Sequence, residues 1–134
     1  EKDLINLEWD TYAVSLNTSA YTIAQACNDI PYNLNPGVSD TLVLTLAPAS
    51  TYSLRVHVVN ATGVSVSNAQ VVLSRTGFTS SKTTSTCGQT FFNSGLTSAT
   101  DYQVNVQATG YTSQTIDSVT ISGSNTLTVT LASS

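Results

Sequence analysis

The feature that most constrains the fold of this chain is strict alternation near its end, in residues 124–132, which read SNTLTVTLA. Leu127, Val129 and Leu131 fall on one side of an extended chain, and threonines fall on the other. This is the pattern of a β-strand with one face in a core and one face in water. Residues 39–47 repeat the phrase as SDTLVLTLA. Because this closing strand occurs twice, the sequence predicts a repeated module.

Short alternating runs of the same kind fill most of the chain, and turn residues such as Gly, Asn and Pro separate them. Residues 21–26 could form a short helix by propensity, but their neighbours all have a period of two, so we expect a strand or extended edge. The other predicted strands are residues 12–16, 40–47, 53–59, 68–74, 81–86, 90–92, 102–108, 113–119 and 124–132. Strands this short and this regularly spaced predict an all-β fold of the β-sandwich type.

A second match supports the repeat. Residues 12–22 and 102–112 both contain a tyrosine, two alternating apolar residues and then a tyrosine–threonine pair. These runs are 90 positions apart (102 − 12), whereas the closing strands are 85 apart (124 − 39), so the first copy carries five extra residues around 27–31. Two matches in the same order favour a common origin over coincidence.

The repeat divides the chain unequally. Residues 1–50, which we call the N-terminal segment, align only with the second half of the module that fills residues 53–134. We therefore expect a complete β-sandwich over 53–134, preceded by a partial, related β module over 1–50. Either the N-terminal segment packs on the sandwich as a reduced sheet, or its missing strands come from upstream or from a neighbouring chain.

The composition excludes several classes of function. Only 9% of the residues are charged, the net charge is −4, and there are four Lys and Arg residues in total. Nucleic-acid binding is not expected, because so few cations cannot neutralise a phosphate backbone. No apolar run is long enough to span a bilayer.

A chain poor in charge and rich in Thr, Ser, Val and Asn is typical of secreted β-proteins, so we expect an extracellular or cell-surface location. Since the sequence opens at Glu1 and contains no Met, we expect a mature or trimmed piece of a longer protein.

The chain has two cysteines, Cys27 and Cys87. In an extracellular β-protein an even count favours one disulfide, and two buried free thiols are the alternative. A bridge would close a loop of about 60 residues, which is worth about 4 kcal/mol in the chain-entropy model. We predict that the bridge ties the N-terminal segment to the sandwich.

The second part of the chain has, in this order, the motif residues 54–59, Gly63, 68–73, Thr83, Thr84, Gly88, Gln89, Phe91, Leu96, 102–106 and 108–111. Through these residues, 53–134 resemble the carboxypeptidase regulatory-like domain. The resemblance implies a seven-stranded immunoglobulin- or prealbumin-like sandwich. Residues 4–47 are similar to the end of a preceding module of the same kind. The two-part arrangement, with its CGQTFF segment, resembles the ectodomains of bacterial pilin-like surface proteins. The resemblance implies a non-catalytic module without a cofactor, which stiffens, spaces or displays other parts of a surface protein.

The chemistry-bearing residues do not form a recognisable active site. His57 is the only histidine, and the alternation places it on the face opposite Val56 and Val58. A catalytic triad or a zinc site needs partners, and none is near His57 in sequence. No G-x-S-x-G context surrounds a serine, and no D-x-D spacing suggests calcium. We therefore expect no catalytic residues, no metal ligands and no enzymatic activity.

The aromatic residues leave one binding function open. Trp9, Tyr12, Tyr21 and Tyr32 lie together in the N-terminal segment and could form a glycan-binding platform, although matched inward positions of Trp9 and Tyr12 favour core packing. The sequence is compatible with two functions, which belong to different classes of protein. The first is a structural or adhesive module of a cell-surface or pilus-like protein, which contacts protein partners or neighbouring subunits. The alternative is a carbohydrate-binding accessory domain of a secreted enzyme.

Overall fold

The computed structural model describes residues 3–27 and 30–134, which form an all-β protein of eleven strands in the described ranges. The strands are β1 (Asp10–Tyr12), β2 (Tyr21–Ala26), β3 (Tyr32–Leu34), β4 (Leu44–Pro48), β5 (Ser53–Asn60), β6 (Gln70–Arg75), β7 (Phe78–Thr83), β8 (Gln89–Phe92), β9 (Ala99–Gln107), β10 (Gln114–Ile121) and β11 (Ser124–Leu131). Strands β5 to β11 form a sandwich, which confirms the predicted fold class.

The sandwich consists of a four-stranded sheet in the order β10-β9-β6-β7 and a three-stranded sheet in the order β11-β5-β8. All neighbouring strands are antiparallel except β11 and β5, which are parallel over eight residue pairs, from Ser124 opposite Ser53 to Leu131 opposite Asn60. The N-terminal segment adds two two-stranded ladders, β1-β3 and β2-β4.

The core lies between the two sheets and consists of the inward side chains of the alternating strands. Its buried members are Leu54, Val56, Val58, Val66, Ala69, Val71, Leu73, Phe92, Tyr102, Val104, Val106, Ile121, Val129 and Leu131. All of these side chains come from the sandwich, and no described residue of the N-terminal segment belongs to this cluster. The N-terminal segment is therefore attached to the outside of a core that the sandwich completes by itself.

The two closing strands have different partners, although their sequences are alike. β11 pairs with β5 in parallel and buries Val129 and Leu131 in the core. β4 pairs with β2 in the antiparallel orientation. Leu46, which corresponds to Leu131 in the repeat, is 48% exposed. The described part of the N-terminal segment contains no strand equivalent to β5, and its closing strand pairs with β2 instead.

The structure corrects parts of the sequence prediction. The strand predicted at 12–16 ends at Tyr12, and the polar strand predicted at 81–86 is β7, which begins earlier, at Phe78. The expectation that Trp9 is a core residue is wrong, because its side chain is 70% exposed. Alternation predicts which side chains share a face, but it does not show whether another layer covers that face. Residues 21–26 are a strand, as predicted.

Candidate functional site

The β2-β4 ladder lies on the outer face of the three-stranded sheet. Arg55 and Gln89 alternate with core-facing neighbours on β5 and β8, so their side chains leave the sandwich on this outer face. Both side chains bond to the backbone of β2. The N-terminal segment is therefore held by side chains of the sandwich, in addition to its covalent connections.

Arg55 makes the first of these attachments. Its Nε donates a hydrogen bond to the carbonyl oxygen of Ala24 at 2.8 Å, and its Nη2 donates to the carbonyl of Ile23. Burial of the guanidinium lowers the pKa of Arg55, but an arginine stays protonated in proteins. The site therefore contains a half-buried positive charge that is hydrogen-bonded to neutral carbonyls.

Gln89 and Asn93 make the second attachment. The side-chain amide of Gln89 donates to the carbonyl of Ala26 at 2.9 Å, and its Oε1 accepts a hydrogen bond from the Ala26 N–H at 3.0 Å. These two hydrogen bonds are of the kind that the backbone of a neighbouring β-strand would make with Ala26. Asn93 donates through Nδ2 to the carbonyl of Pro48 at 3.0 Å. We call the five hydrogen bonds of Arg55, Gln89 and Asn93 the latch.

The Cys27–Cys87 disulfide joins the end of β2 to the turn before β8, with the two Cα atoms 4.9 Å apart. That turn lies directly against β5, because Gly88 accepts a hydrogen bond from the N–H of Val58 at 2.7 Å. A Cβ on Gly88 would be 2.6 Å from the Val58 carbonyl oxygen. Because it has no Cβ, Gly88 lets the turn lie close to β5. This position of the turn brings Cys87 within bonding distance of Cys27.

A groove of about 570 Å³ lies in the N-terminal segment, at the end of the β1-β3 ladder. Most of its lining residues are apolar, although polar atoms form about half of its surface; the residues are Leu7, Glu8, Trp9, Leu34, Asn35, Pro36, Gly37 and Val38. The groove forms because Asp10 pairs with Leu34, so the residues before β1 and the turn after β3 extend from the same end of the ladder. We call this the apolar groove.

Exposed apolar side chains are concentrated in the N-terminal segment. Of the ten most exposed large apolar side chains in the described residues, nine lie in this segment, and the other is Val64 in the sandwich. The nine are Leu4, Ile5, Leu7, Trp9, Tyr21, Ile30, Val38, Val43 and Leu46. Single exposed apolar residues are common in proteins, so it is their concentration in one segment that distinguishes the N-terminal segment from the sandwich.

The four aromatic residues proposed for glycan binding are distributed over the β1-β3 ladder and two hollows. Tyr12 and Tyr32 are opposite each other in the β1-β3 ladder. Trp9 lines the apolar groove, whereas Tyr21 lines a second hollow. Hydrogen bonds anchor two of the rings: the Tyr12 hydroxyl donates to the carbonyl of Glu8 at 2.5 Å, and the Tyr32 hydroxyl bonds to the Asp40 carboxylate. Trp9 and Tyr21 therefore line different hollows, and glycan binding by these four residues stays a prediction.

The second hollow has a volume of about 270 Å³ and lies between the loop after β1, strand β2 and Arg55. Its lining consists of Leu16, Thr18, Tyr21, Thr22, Ile23 and Arg55. Tyr21 is 52% exposed. We call this the arginine hollow. Sequence reasoning missed it, because Arg55 and Tyr21 are 34 positions apart (55 − 21) and meet only when β2 lies on β5.

The other polar side chains of interest are His57 and Ser65. His57 Nε2 lies 3.0 Å from the Ser65 hydroxyl oxygen, but no described acidic side chain orients the imidazole. Within residues 3–27 and 30–134, no group of three His, Cys, Asp or Glu side chains could hold a metal ion. In the same residues there is also no helix long and apolar enough to cross a membrane.

Comparison with known proteins identifies the sandwich. The family model described as the carboxypeptidase regulatory-like domain matches residues 53–134. Among curated proteins, none matches this sequence.

Two solved structures are similar to the chain. The TIE protein of Bacillus anthracis has a TM-score of 0.49 and 19% identity, over 69% of this chain and 20% of that one. A type II cohesin–X-dockerin complex from Acetivibrio cellulolyticus has a TM-score of 0.45 and 15% identity, over 59% of this chain and 56% of that one. Each match spans less than two thirds of the other protein's chain.

Proposed function

Because the chain belongs to the carboxypeptidase regulatory-like domain family, we propose that it is a non-catalytic, extracellular structural or adhesive module. In this proposal it forms part of a cell-surface or pilus-like protein. The sandwich acts as a rigid support, and the N-terminal segment contacts a protein partner or a neighbouring subunit. No step of this function needs a cofactor or a titrating side chain.

The observation that carries the proposal is the distribution of apolar surface. The sandwich exposes one large apolar side chain, Val64, among the described residues, whereas the N-terminal segment exposes nine, including Trp9 at 70%. Exposing so much apolar surface to water is unfavourable by roughly 25 cal/mol for each Å². A partner that covers the apolar groove removes this unfavourable exposure, and aromatic residues such as Trp9 are typical anchors of protein interfaces.

The attachment of the N-terminal segment supports the same function. The latch and the Cys27–Cys87 bond attach the β2-β4 ladder of this segment to the sandwich. A segment that is already fixed in place loses less conformational entropy when a partner binds to it. Disulfides persist in oxidising compartments, which supports the extracellular location in this proposal.

A photo-crosslinking experiment on the cells that make the protein tests the proposal. A photoreactive phenylalanine derivative replaces Trp9 in one variant and Val64 in the other. Val64 is a matched control, since it is 60% exposed but lies on the sandwich. We expect a discrete cross-linked surface protein or subunit from position 9 and none from position 64. Equal cross-linking from both positions, or none from position 9, would contradict the proposal.

A further inference from the structure

The arginine hollow combines three kinds of group outside the apolar groove. It has an exposed aromatic ring from Tyr21, a guanidinium from Arg55, and hydroxyls from Thr18 and Thr22. The Thr18 hydroxyl oxygen accepts a hydrogen bond from the N–H of Ala20 at 3.1 Å, so its own proton can still donate to a ligand. A ligand in this hollow would meet charge, hydroxyl groups and a ring face at once.

Arg55 has donors left for such a ligand. A guanidinium carries five N–H groups in a planar fork. The latch uses Nε and one hydrogen of Nη2, on one side of the group. In the described part of the chain, the only buried side-chain N or O atom without a hydrogen-bond partner is Nε of Arg75. The hydrogen bonds of Arg55 to described residues use only Nε and Nη2, and Nη1 is not among the buried unpartnered atoms. The end of the fork, formed by Nη1 and Nη2, remains available.

The charge of Arg55 is also not neutralised by a described residue. The ion pair found among residues 3–27 and 30–134 joins Nη2 of Arg75 to Oδ1 of Asp101 at 3.1 Å. Arg55, by contrast, bonds only to backbone carbonyls. A half-buried cation without an acidic partner attracts an anion, since burial reduces the screening by water. The planar end of an arginine fork matches a carboxylate with two parallel hydrogen bonds.

We propose that the arginine hollow binds a sugar residue that carries a carboxylate, of the uronic-acid or sialic-acid class. The carboxylate pairs with Nη1 and Nη2 of Arg55, and the apolar face of the sugar ring packs on Tyr21, whose ring offers an apolar body with a polar tip. The hydroxyls of Thr18 and Thr22 donate to and accept from the sugar hydroxyls.

A sugar fits this hollow better than the other common carboxylate, a peptide C-terminus. Protein sites typically capture a peptide terminus in a nest of backbone N–H groups. The strand that borders this hollow, β2, is already paired with β4 from Tyr21 to Ala26. The hollow therefore offers side chains and a ring face. This site is separate from the apolar groove, so it does not depend on the proposed function.

The test is titration calorimetry of the full chain with matched acidic and neutral sugars. The probes are methyl β-glucuronide, a methyl sialoside and, as the neutral control, methyl β-glucoside. We expect at least one acidic sugar to bind about tenfold or more tightly than the glucoside, since a hydrogen bond to a charged group is worth about this much. We also expect this binding to weaken as the salt concentration rises.

Variants locate the binding. Arg55→Lys keeps the charge but loses the fork, Tyr21→Ala removes the ring, and Thr18→Val removes a hydroxyl without touching the latch. Each should weaken binding of the acidic sugar about tenfold or more, whereas Trp9→Ala in the apolar groove should not change it. If Arg55→Lys disturbs the fold, as a ¹H–¹⁵N spectrum would show, the other two variants decide.

Three results would overturn the proposal. They are equal affinity for acidic and neutral sugars, wild-type affinity in both Tyr21→Ala and Thr18→Val, and no binding of either acidic sugar at millimolar concentration. A short peptide with a free C-terminus serves as a competitor. If it binds more tightly than the sugars and loses affinity in the same variants, the hollow is a peptide site and the sugar assignment is wrong.

Discussion

Replacing both Cys27 and Cys87 with Ser tests how firmly the N-terminal segment is coupled to the sandwich. The bond closes a loop of 60 residues, and the chain-entropy model assigns about 4 kcal/mol to a loop of that length at 25 °C. This amount is lost in full only if both parts unfold together, because the bond links a strand outside the core to a turn of the sandwich. The latch favours joint unfolding, since its five hydrogen bonds are worth about 1 kcal/mol each.

We therefore expect the double variant to fold and to unfold in one transition, with a free energy of unfolding about 4 kcal/mol below that of the oxidised wild type. Urea unfolding followed by two probes measures this. Trp9 fluorescence reports the N-terminal segment, since it is the only Trp, and far-UV circular dichroism reports mainly the sandwich. Reduced wild type is the control and should match the variant. A loss below about 1 kcal/mol, or two separate transitions, would refute the coupling.

Two further predictions concern a turn and a carboxylate. Gly88→Ala should destabilise the fold by more than about 2 kcal/mol in urea unfolding, because its Cβ would be 2.6 Å from the Val58 carbonyl oxygen; Gly63→Ala, where nothing lies within 4 Å, should lose only about 1 kcal/mol for its left-handed backbone. Equal losses would show that steric contact does not matter. The hydrogen bond from the Tyr32 hydroxyl lowers the pKa of Asp40. The ionised Asp40 should therefore stabilise the fold fully above the unfolded-state pKa of Asp40, and this stabilisation should disappear as the pH falls through its folded-state pKa. A carboxyl NMR titration that gives Asp40 an ordinary or raised pKa would contradict this.

The sequence predicted the sandwich because its strands alternate almost without interruption. Val56, Val104 and Val129 are inward in the pattern and fully or almost fully buried in the structure. His57 is on the opposite face, as the same pattern predicts, and makes no triad with described residues. A period-two pattern is a reliable guide here, since the two sheets cover each other's inner faces completely.

The candidate sites were only partly predictable. Trp9 was expected at an inward position matched to Tyr12, yet its side chain is 70% exposed. The arginine hollow could not be found from spacing, since Tyr21 and Arg55 meet through the packing of β2 on β5. Contacts between side chains that are far apart in sequence depend on how strands pack, and a local pattern contains no information about that.

The sequence by itself determined the class of fold, the family of the sandwich and the repetition of its closing strand, since these depend on local periodicity and on the order of motifs. The tertiary structure alone decided what the repeat means. Residues 39–47 and 124–132 have nearly the same pattern, but β11 completes a core beside β5, and β4 pairs with β2 on the outside. A strand's sequence determines which of its faces is apolar, whereas the neighbours available in the folded chain determine whether that face is buried.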